Sequence, residues 1–525
     1  MSRNKINRAL ISVSDKTDLE YLGRELSRFG VEIISTGGTA KRLRRKKIRV
    51  VEVSEYAKYP EIMDGRVKTL QPEIYGGILS IRENPVHAAQ MKKHRMKFID
   101  LVVVNLYPFE TIAATEKDFN TCIENIDIGG PTLVRAAAKN HKFVTVIVDP
   151  LDYHRFIEEF KKNDGATTEP FRKDLAKKAF SLTAHYDAII TKWLSANEEK
   201  IFPSNEIFIG RNKKPLRYGE NPHQGAVFYK SQENRPGVST AIQLHGKELS
   251  YNNINDTDAA FELVSEFQKQ PACVIVKHAN PCGVACAKTL LSAYNQAFKC
   301  DQESAFGGII AFNSRLDEKI ARKLIKVFSE VVIAPKITKE ARKILSERND
   351  LRVLETGTLP NPKAFGKTLK SVSGGYLCQT RDNKLALNTS QVVTKLKPSK
   401  KQLRDLWFAF TVAKHVKSNA IVYAKNETTV GIGAGQMSRV NSSRIAAWKA
   451  AENAEISNSK DSWAVGSVVA SDAFFPFVDG LLAAAEAGAK AVIQPGGSVR
   501  DHEIIRAADE NGLSMIFTNM RHFRH

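Results

Sequence analysis

Lys277 and His278 end a short apolar run, Val274-Ile275-Val276, and Asn280-Pro281 and Gly283 follow at once. Residues 272–276 have the composition of a fully buried strand. Asn-Pro and Gly are expected to stop it in a turn. Ligands of open α/β sheets sit beyond the carboxyl ends of strands. A lysine and a histidine placed there stand where chemistry is usually done. Side by side, each makes the other costlier to charge and lowers its pKa. The histidine is then expected to be neutral near pH 7 and able to take a proton. The lysine remains a cation that can stabilise or protonate a developing anion. Taken alone, such a pair is more often the surface cap of a strand.

Other groups that could do chemistry lie in the first 150 residues. Twice a predicted strand (residues 8–13 and 31–35) runs into a small polar turn that opens a helix. The turns are Ser14-Asp15-Lys16 and Thr36-Gly37-Gly38-Thr39. Backbone N–H groups at such a helix start can cradle phosphate, and glycine lets the anion come close. Arg66 and Lys68 are two apart, so an extended backbone points both to one side, toward a phosphate or an oxyanion. An exposed basic strand is an equally common reading. A buried strand at 99–105 carries Asn105 and Tyr107 at its end. Asp127-Ile128-Gly129-Gly130 opens a helix over 133–139. There Asp127 reads as an N-cap and Lys139 as a helix-end cation. A further strand at 143–148 follows, then two helices over 153–197. Alternating strands and helices predict a doubly wound parallel sheet.

At 525 residues the chain is too long for one core. Residues 198–212 read as a linker, with a boundary near Ile201. No run of about 18 apolar residues suggests a membrane span, and residues 10–13 are too short for a signal-peptide core. The cytoplasm is the default location. The six cysteines are sparse and fit reduced thiols better than a disulfide framework. Cys282 and Cys286 invite comparison with the zinc deaminases, H-x-E with P-C-x-x-C. Here His278-Ala279-Asn280 lacks the glutamate and the cysteines are one residue too far apart, so no metal is expected. The net charge of +21 raises nucleic acid as a partner. Its basic residues are dispersed, and the cluster at 41–47 reads as the solvated face of a helix. No nucleic-acid-binding motif is present.

The second half opens with a polar turn region at 216–223 and a strand at 226–229. An asparagine-rich run over 249–258 leads to a helix at Ala259, with Asn253 an ordinary capping residue. Ser399-Lys400-Lys401-Gln402 is a capping-box pattern for a helix over 403–416. Asn419 precedes a strand at 420–424, and Gly431 to Gly435 read as a turn. Strands at 468–470, 491–493 and 514–517 alternate with helices at 479–487 and 501–510. No internal repeat is visible.

Eleven motifs, taken in order, carry a resemblance. In the first half they are S-V-S-D-K-T (12–17), S-T-G-G-T-A (35–40), G-R-V-K-T-L (65–70), N-L-Y-P-F (105–109) and D-I-G-G-P-T-L-V-R-A-A-A-K-N (127–140). In the second half they are L-R-Y-G-E-N-P-H-Q (216–224), V-K-H-A-N-P-C-G-V (276–284), S-A-F-G-G (304–308), G-I-G-A-G-Q-M-S-R (431–439), S-D-A-F-F-P-F (471–477) and T-N-M-R-H-F (518–523). The chain resembles the bifunctional purine-biosynthesis family that joins inosine monophosphate (IMP) cyclohydrolase to AICAR transformylase (AICAR is 5-aminoimidazole-4-carboxamide ribonucleotide).

The resemblance implies a methylglyoxal-synthase-like parallel-sheet domain over 1–200. It implies a duplicated cytidine-deaminase-like region without metal over 201–525. Ser12, Ser14, Lys16, Ser35, Thr36, Gly37 and Gly38 would line a nucleotide site. Arg66, Lys68, Thr69, Asn105, Tyr107, Asp127, Gly129, Gly130 and Lys139 would surround the closing ring. Catalysis there would rest on Lys68, Tyr107, Asp127 and Lys139. In the second half Lys277, His278 and Asn419 would act on the formyl group. Arg217, Tyr218, Asn253, Phe306, Gly307, Arg439, Phe474 and Arg521 would bind substrates, with folate near Phe474. The cosubstrate would be 10-formyltetrahydrofolate, the assembly a homodimer, and a structural monovalent cation is compatible with the family. Gln71 and Tyr75 stand where the family usually has histidines, and neither titrates near neutrality. A basic nucleic-acid binder and a paralogue that binds nucleotides without turnover are the alternatives.

Overall fold

The computed structural model describes residues 3–116, 118–195, 201–231, 233–385 and 390–525. The chain divides into two compact units, Met1–Ile209 and Gly210–His525. The boundary expected near Ile201 adjoins residues 196–200, which lie outside the described residues. Among the described residues no helix is long and apolar enough to cross a membrane.

The first unit is built on five parallel strands. In spatial order they are Val51–Glu52, Glu32–Ser35, Arg8–Val13, Leu101–Asn105 and Thr145–Ile147. Strands covered on both faces need continuous apolar runs, and Ala9, Leu10, Ile11 and Leu101 to Val104 are all buried. Leu19, Leu22 and Leu26 put one face of the helix Leu19–Arg28 into this core. The basic cluster at 41–47 does lie on a solvated helix face, where Arg42 and Lys46 reach Glu20 at 2.8 and 3.2 Å. Residues 153–195 form the two expected helices, Tyr153–Lys162 and Glu169–Leu194.

The second unit holds two six-stranded sheets of identical order and direction. The first runs Ile242–His245, Arg352–Glu355, Val331–Ala334, Ile309–Phe312, Ala272–Lys277, Asn280–Cys286. The second runs Gln391–Val392, Ser514–Phe517, Ala491–Gln494, Val468–Ser471, Ile421–Ala424, Thr429–Gly433. In each, three central strands are parallel and the rest antiparallel. The repeat that the sequence hides is plain in the backbone. The helices Tyr251–Ser265 and Lys400–Ala413 both open with a capping box, Ser250 with Asn253 and Ser399 with Gln402.

Four expectations need correction. Asn280, Pro281 and Gly283 do not end the sheet. His278 and Ala279 make a two-residue turn with φ of 55° and 58°, and Asn280–Cys286 returns as the next strand. The strand Ala272–Lys277 is antiparallel to both neighbours. Its carboxyl end therefore lies at the amino ends of the parallel strands, and the carboxyl-end rule does not apply to Lys277. Gly431 and Gly433 are strand residues too, because a helix lies hard against them. A Cβ on Gly431 would meet the Ala446 carbonyl oxygen at 2.0 Å, as one on Gly283 would meet that of Ala297 at 1.9 Å. The helix expected from Ala259 begins eight residues earlier, at Tyr251, because Ser250 caps it and Asn253 is buried against Glu330.

Candidate active sites

In the first unit the expected groups gather at the carboxyl ends of the parallel strands, where the fold places ligands. Asn105 ends its strand and ties down the first polar turn. Its Oδ1 accepts from the N–H groups of Ser14 and Asp15 at 2.6 and 2.9 Å, and from Ser14 Oγ at 3.0 Å. Ser12 Oγ and Thr36 Oγ1 are 2.9 Å apart. The helix Gly37–Arg45 starts there without a side-chain cap, so its first N–H groups face the site. Gly37 has φ of 35°, and a Cβ on it would stand 3.0 Å from Lys68 Nζ; one on Gly38 would stand 4.0 Å from Lys16 Cε. Two ammonium groups thus converge on a bare helix start. Ser35 faces inward and donates to the Ile11 carbonyl, so its role is to hold the strands.

Across from this cradle, the helix Gly129–Lys139 starts beside Thr69, which a Cβ on Gly129 would meet at 2.9 Å. Asp127 Oδ1 accepts from Gly130 N–H at 2.8 Å, and the Tyr107 backbone donates to the same carboxylate. Burial raises the Asp127 pKa above the ordinary carboxylate value. Tyr186 accepts from the Asp127 N–H at 2.8 Å and was not singled out from sequence. The Tyr107 ring is 55% exposed and free to meet a ligand. Gln71 is buried at the start of the helix Pro72–Leu79, and the Tyr75 hydroxyl donates to Thr132 Oγ1 at 2.7 Å. The two residues that depart from the family pattern are thus packed into the wall.

Two expected members are not in this group. Arg66 is in a helical, not extended, conformation and pairs with Glu124, while Lys68 pairs with Glu61 at 2.9 Å. They do not share one side of a strand. Lys139 is the last residue of the helix that Gly129 opens. At 1.5 Å per residue it lies about 15 Å away, toward the other end of the sheet.

In the second unit Asp256 fixes the Lys277–His278 turn. Its two carboxylate oxygens accept from the N–H groups of His278 and Ala279, each at 2.9 Å. Sequence reading passed over Asp256, because it sits inside an asparagine-rich run. The backbone is held while the imidazole is exposed. Lys277 Nζ donates to the Phe306 carbonyl at 3.1 Å, next to Gly307 at φ of 73°. Asn280 then joins this turn to the other repeat, its Oδ1 accepting from Lys417 N–H at 3.0 Å. Two residues on, Asn419 Nδ2 donates to the Gln436 carbonyl at 2.8 Å.

Arg439 is buried, and each of its three guanidinium nitrogens makes a hydrogen bond. It donates to Asp472 at 2.6 Å, to Ser471 Oγ at 2.8 Å and to the Phe474 carbonyl at 3.1 Å. Asp472 also accepts from Ser418 Oγ. This network positions Asn419 and Phe474 rather than offering a free cation. Phe475 is buried in the core, whereas Phe474 is 36% exposed. Arg521 stacks on Phe523 at 4.3 Å. Arg217 lies over Tyr218 at 5.6 Å, beside a turn that Asn252 holds through the Glu220 carbonyl. Asn253 is enclosed by Ser250 and Glu330, which is its capping role.

All six cysteines are free, and burial pushes the Cys286 thiol up to about 12. Among the described residues no group of three or more His, Cys, Asp or Glu could hold a metal ion.

Comparison with known proteins decides the family. A model described as the AICARFT/IMPCHase bienzyme matches residues 137–449, and one of an MGS-like domain matches residues 18–132. The bifunctional purine biosynthesis protein PurH of Dinoroseobacter shibae is 57% identical, over 99% of both chains. The chain belongs to the AICARFT/IMPCHase bienzyme family. The same-named protein of Cereibacter sphaeroides is 56% identical, again over 99% of both chains. A crystal structure of ForH, 33% identical, covers 36% of the chain at a TM-score of 0.33. For this bienzyme chain the MGS-like match falls in the parallel-sheet unit, where the first cradle lies.

Proposed function

We infer that the chain performs two successive reactions of purine biosynthesis. The second unit moves a formyl group from 10-formyltetrahydrofolate to the amine of AICAR. The first unit closes the product, formyl-AICAR, to IMP with loss of water. The relation to bifunctional relatives over almost the whole length supports this reading, and the clamped Lys277–His278 turn carries its chemistry.

In formyl transfer the AICAR amine nitrogen attacks the formyl carbon and the bond to the folate nitrogen breaks. His278 takes the amine proton, and Lys277 delivers a proton to the departing folate nitrogen. Asn419 orients the formyl group, Phe306 and Phe474 offer exposed aromatic faces, and Arg439 fixes the wall behind Phe474. In ring closure the carboxamide nitrogen attacks the formyl carbon. Lys68 stabilises the oxyanion, and Tyr107 and Asp127 move the protons that release water. The nucleotide phosphate rests on the Gly37–Gly38 helix start with Lys16. Lys139 lies too far along its helix to join that group within one chain. A homodimer, in which a second copy could lend Lys139, would restore it.

One incubation tests the reading. Purified chain with AICAR and 10-formyltetrahydrofolate should yield IMP. Accumulation of formyl-AICAR alone would remove the first unit from the scheme, and unconsumed AICAR would refute formyl transfer. Dilution should lower formyl transfer if sites draw on two copies.

A further inference from the structure

A cavity of about 530 Å³ in the second unit contains none of the residues assigned above. It occupies, in the second repeat, the place that the Lys277 turn occupies in the first. Lys425 directly follows the strand Ile421–Ala424, as Lys277 ends Ala272–Lys277. Lys425 Nζ donates to the Val465 carbonyl at 2.9 Å, three residues before the strand Val468–Ser471. Lys277 makes the matching bond three residues before Ile309–Phe312. Gly466 at φ of 72° answers Gly307 at 73°. The proton acceptor is what differs: Asn426 stands in place of His278.

The lining is suited to an anion. Lys299, Lys425 and Lys460 face Asp461 as the one carboxylate among the lining residues. Among the described residues, neither Lys299 nor Lys460 has a carboxylate within ion-pair distance. Lys425 has two ammonium donors beyond the one given to Val465. Trp463 also lines the cavity and is half-buried, its indole N–H held by Ser459 Oγ at 3.2 Å. Gln296 and Thr428 join the two walls at 3.0 Å. Three lysines suit a dianionic phosphate, a fixed indole offers a planar ring a surface, and the volume is that of a small-molecule site.

We propose that this cavity is a second, non-catalytic site for the phosphate ester of a planar heterocycle, of the purine nucleoside monophosphate class. The lysines take the phosphate and Trp463 takes the ring. The inference rests on the cavity and the repeat, not on the assignment of the two reactions.

Equilibrium dialysis of the full chain against adenosine 5′-monophosphate tests it, with inorganic phosphate in a parallel arm. Lys299→Ala/Lys460→Ala, two exposed changes that cost no internal contact, should remove one nucleotide site per chain. Both reaction rates should stay within about twofold, since neither lysine belongs to the catalytic groups. Trp463→Phe should weaken the nucleotide at that site and leave inorganic phosphate unchanged. Equal stoichiometry in wild type and double variant would overturn the site. Inorganic phosphate binding as tightly as the nucleotide would overturn the assignment of the ring.

Discussion

Two hairpins of the second unit turn on the same backbone. His278 and Ala279 have φ of 55° and 58°, and Asn426 and Glu427 have 57° and 52°. Each turn is clamped by an aspartate at the same place in a capping-box helix. Asp256 holds the first at 2.9 and 2.9 Å, and Asp405 the second at 3.0 and 2.7 Å. The surroundings differ. Glu427 is built into the first repeat, its carbonyl accepting from Cys286 N–H and its carboxylate from Gln270. The His278 imidazole is exposed, with no hydrogen-bond partner among the described residues. The clamp is therefore a device of the fold, and chemistry is added by the side chain it presents.

The strongest way to break this contrast is to make the first turn like the second. Asparagine tolerates a left-handed backbone, so His278→Asn should fold. Loss of a general base should cut formyl transfer by about a hundred- to ten-thousand-fold. Ring closure of supplied formyl-AICAR should be unchanged. Formyl transfer within tenfold of wild type would remove His278 as the proton acceptor.

The first unit offers a third clamping carboxylate. Asp127 holds the Gly130 N–H as Asp256 holds its turn, and burial raises the pKa of both. If Asp127 accepts a proton during ring closure, only its ionised form works. Its raised pKa means that it protonates earlier as pH falls. The acidic limb of the ring-closure profile should then lie above the ordinary carboxyl value of about 3.9. Asp127→Asn should lower the rate by about a hundredfold and abolish that limb. An unchanged limb in the variant would assign it to another group. The stability sign is opposite: a raised carboxyl contributes stability at low pH and loses it as pH rises through the folded value.

Asp256→Asn and Asp405→Asn sharpen the comparison within the repeat. In each, one clamped N–H would face an amide NH₂, at a cost of about 1–3 kcal/mol. Both variants should show lower denaturant midpoints. Only Asp256→Asn should also lower formyl transfer, by about tenfold, because a 1 Å drift of His278 matters to chemistry. Equal activity losses in the two would mean that folding alone is being read.

Much of this was legible. The apolar runs read as strands, such as 8–13, 99–105 and 514–517, are strands to within two residues, since strands buried on both faces leave little choice of residue, whereas Ile309–Phe312, Val331–Ala334 and Arg352–Glu355 were not singled out. Ser399 with Gln402 announced its helix because a capping box has a fixed spacing. The first cradle was visible as Ser12-to-Lys16 and Thr36-to-Gly38. The duplication was not, because the two repeats preserve a geometry and not a string. What they share is an aspartate, a lysine and a few glycines set in unlike neighbours. Arg66 and Lys68 misled because Arg66 itself leaves the extended region, with φ of -60° and ψ of -33° at the end of a helical turn. Lys139 misled because sequence adjacency to Asp127 hides the length of a helix. The clamp of Asp256 was illegible because its partners are backbone N–H groups 22 and 23 positions away.

The smallest expected effect comes from the reverse exchange. Asn426→His places an imidazole on the second clamped turn, after the same lysine. If a clamped Lys-His turn were sufficient for formyl transfer, this change would rescue His278→Asn. We expect no rescue above about twofold, because a catalytic base must lie within about 3 Å of its proton in the bound substrate. The second turn has Glu427 tied to the first repeat and no counterpart of Phe306, whose place is taken by Val465. The measurement is formyl-AICAR produced by the double variant against His278→Asn alone. Recovery of a tenth of wild-type activity would show the surroundings to be interchangeable and place the whole difference between the repeats in one side chain.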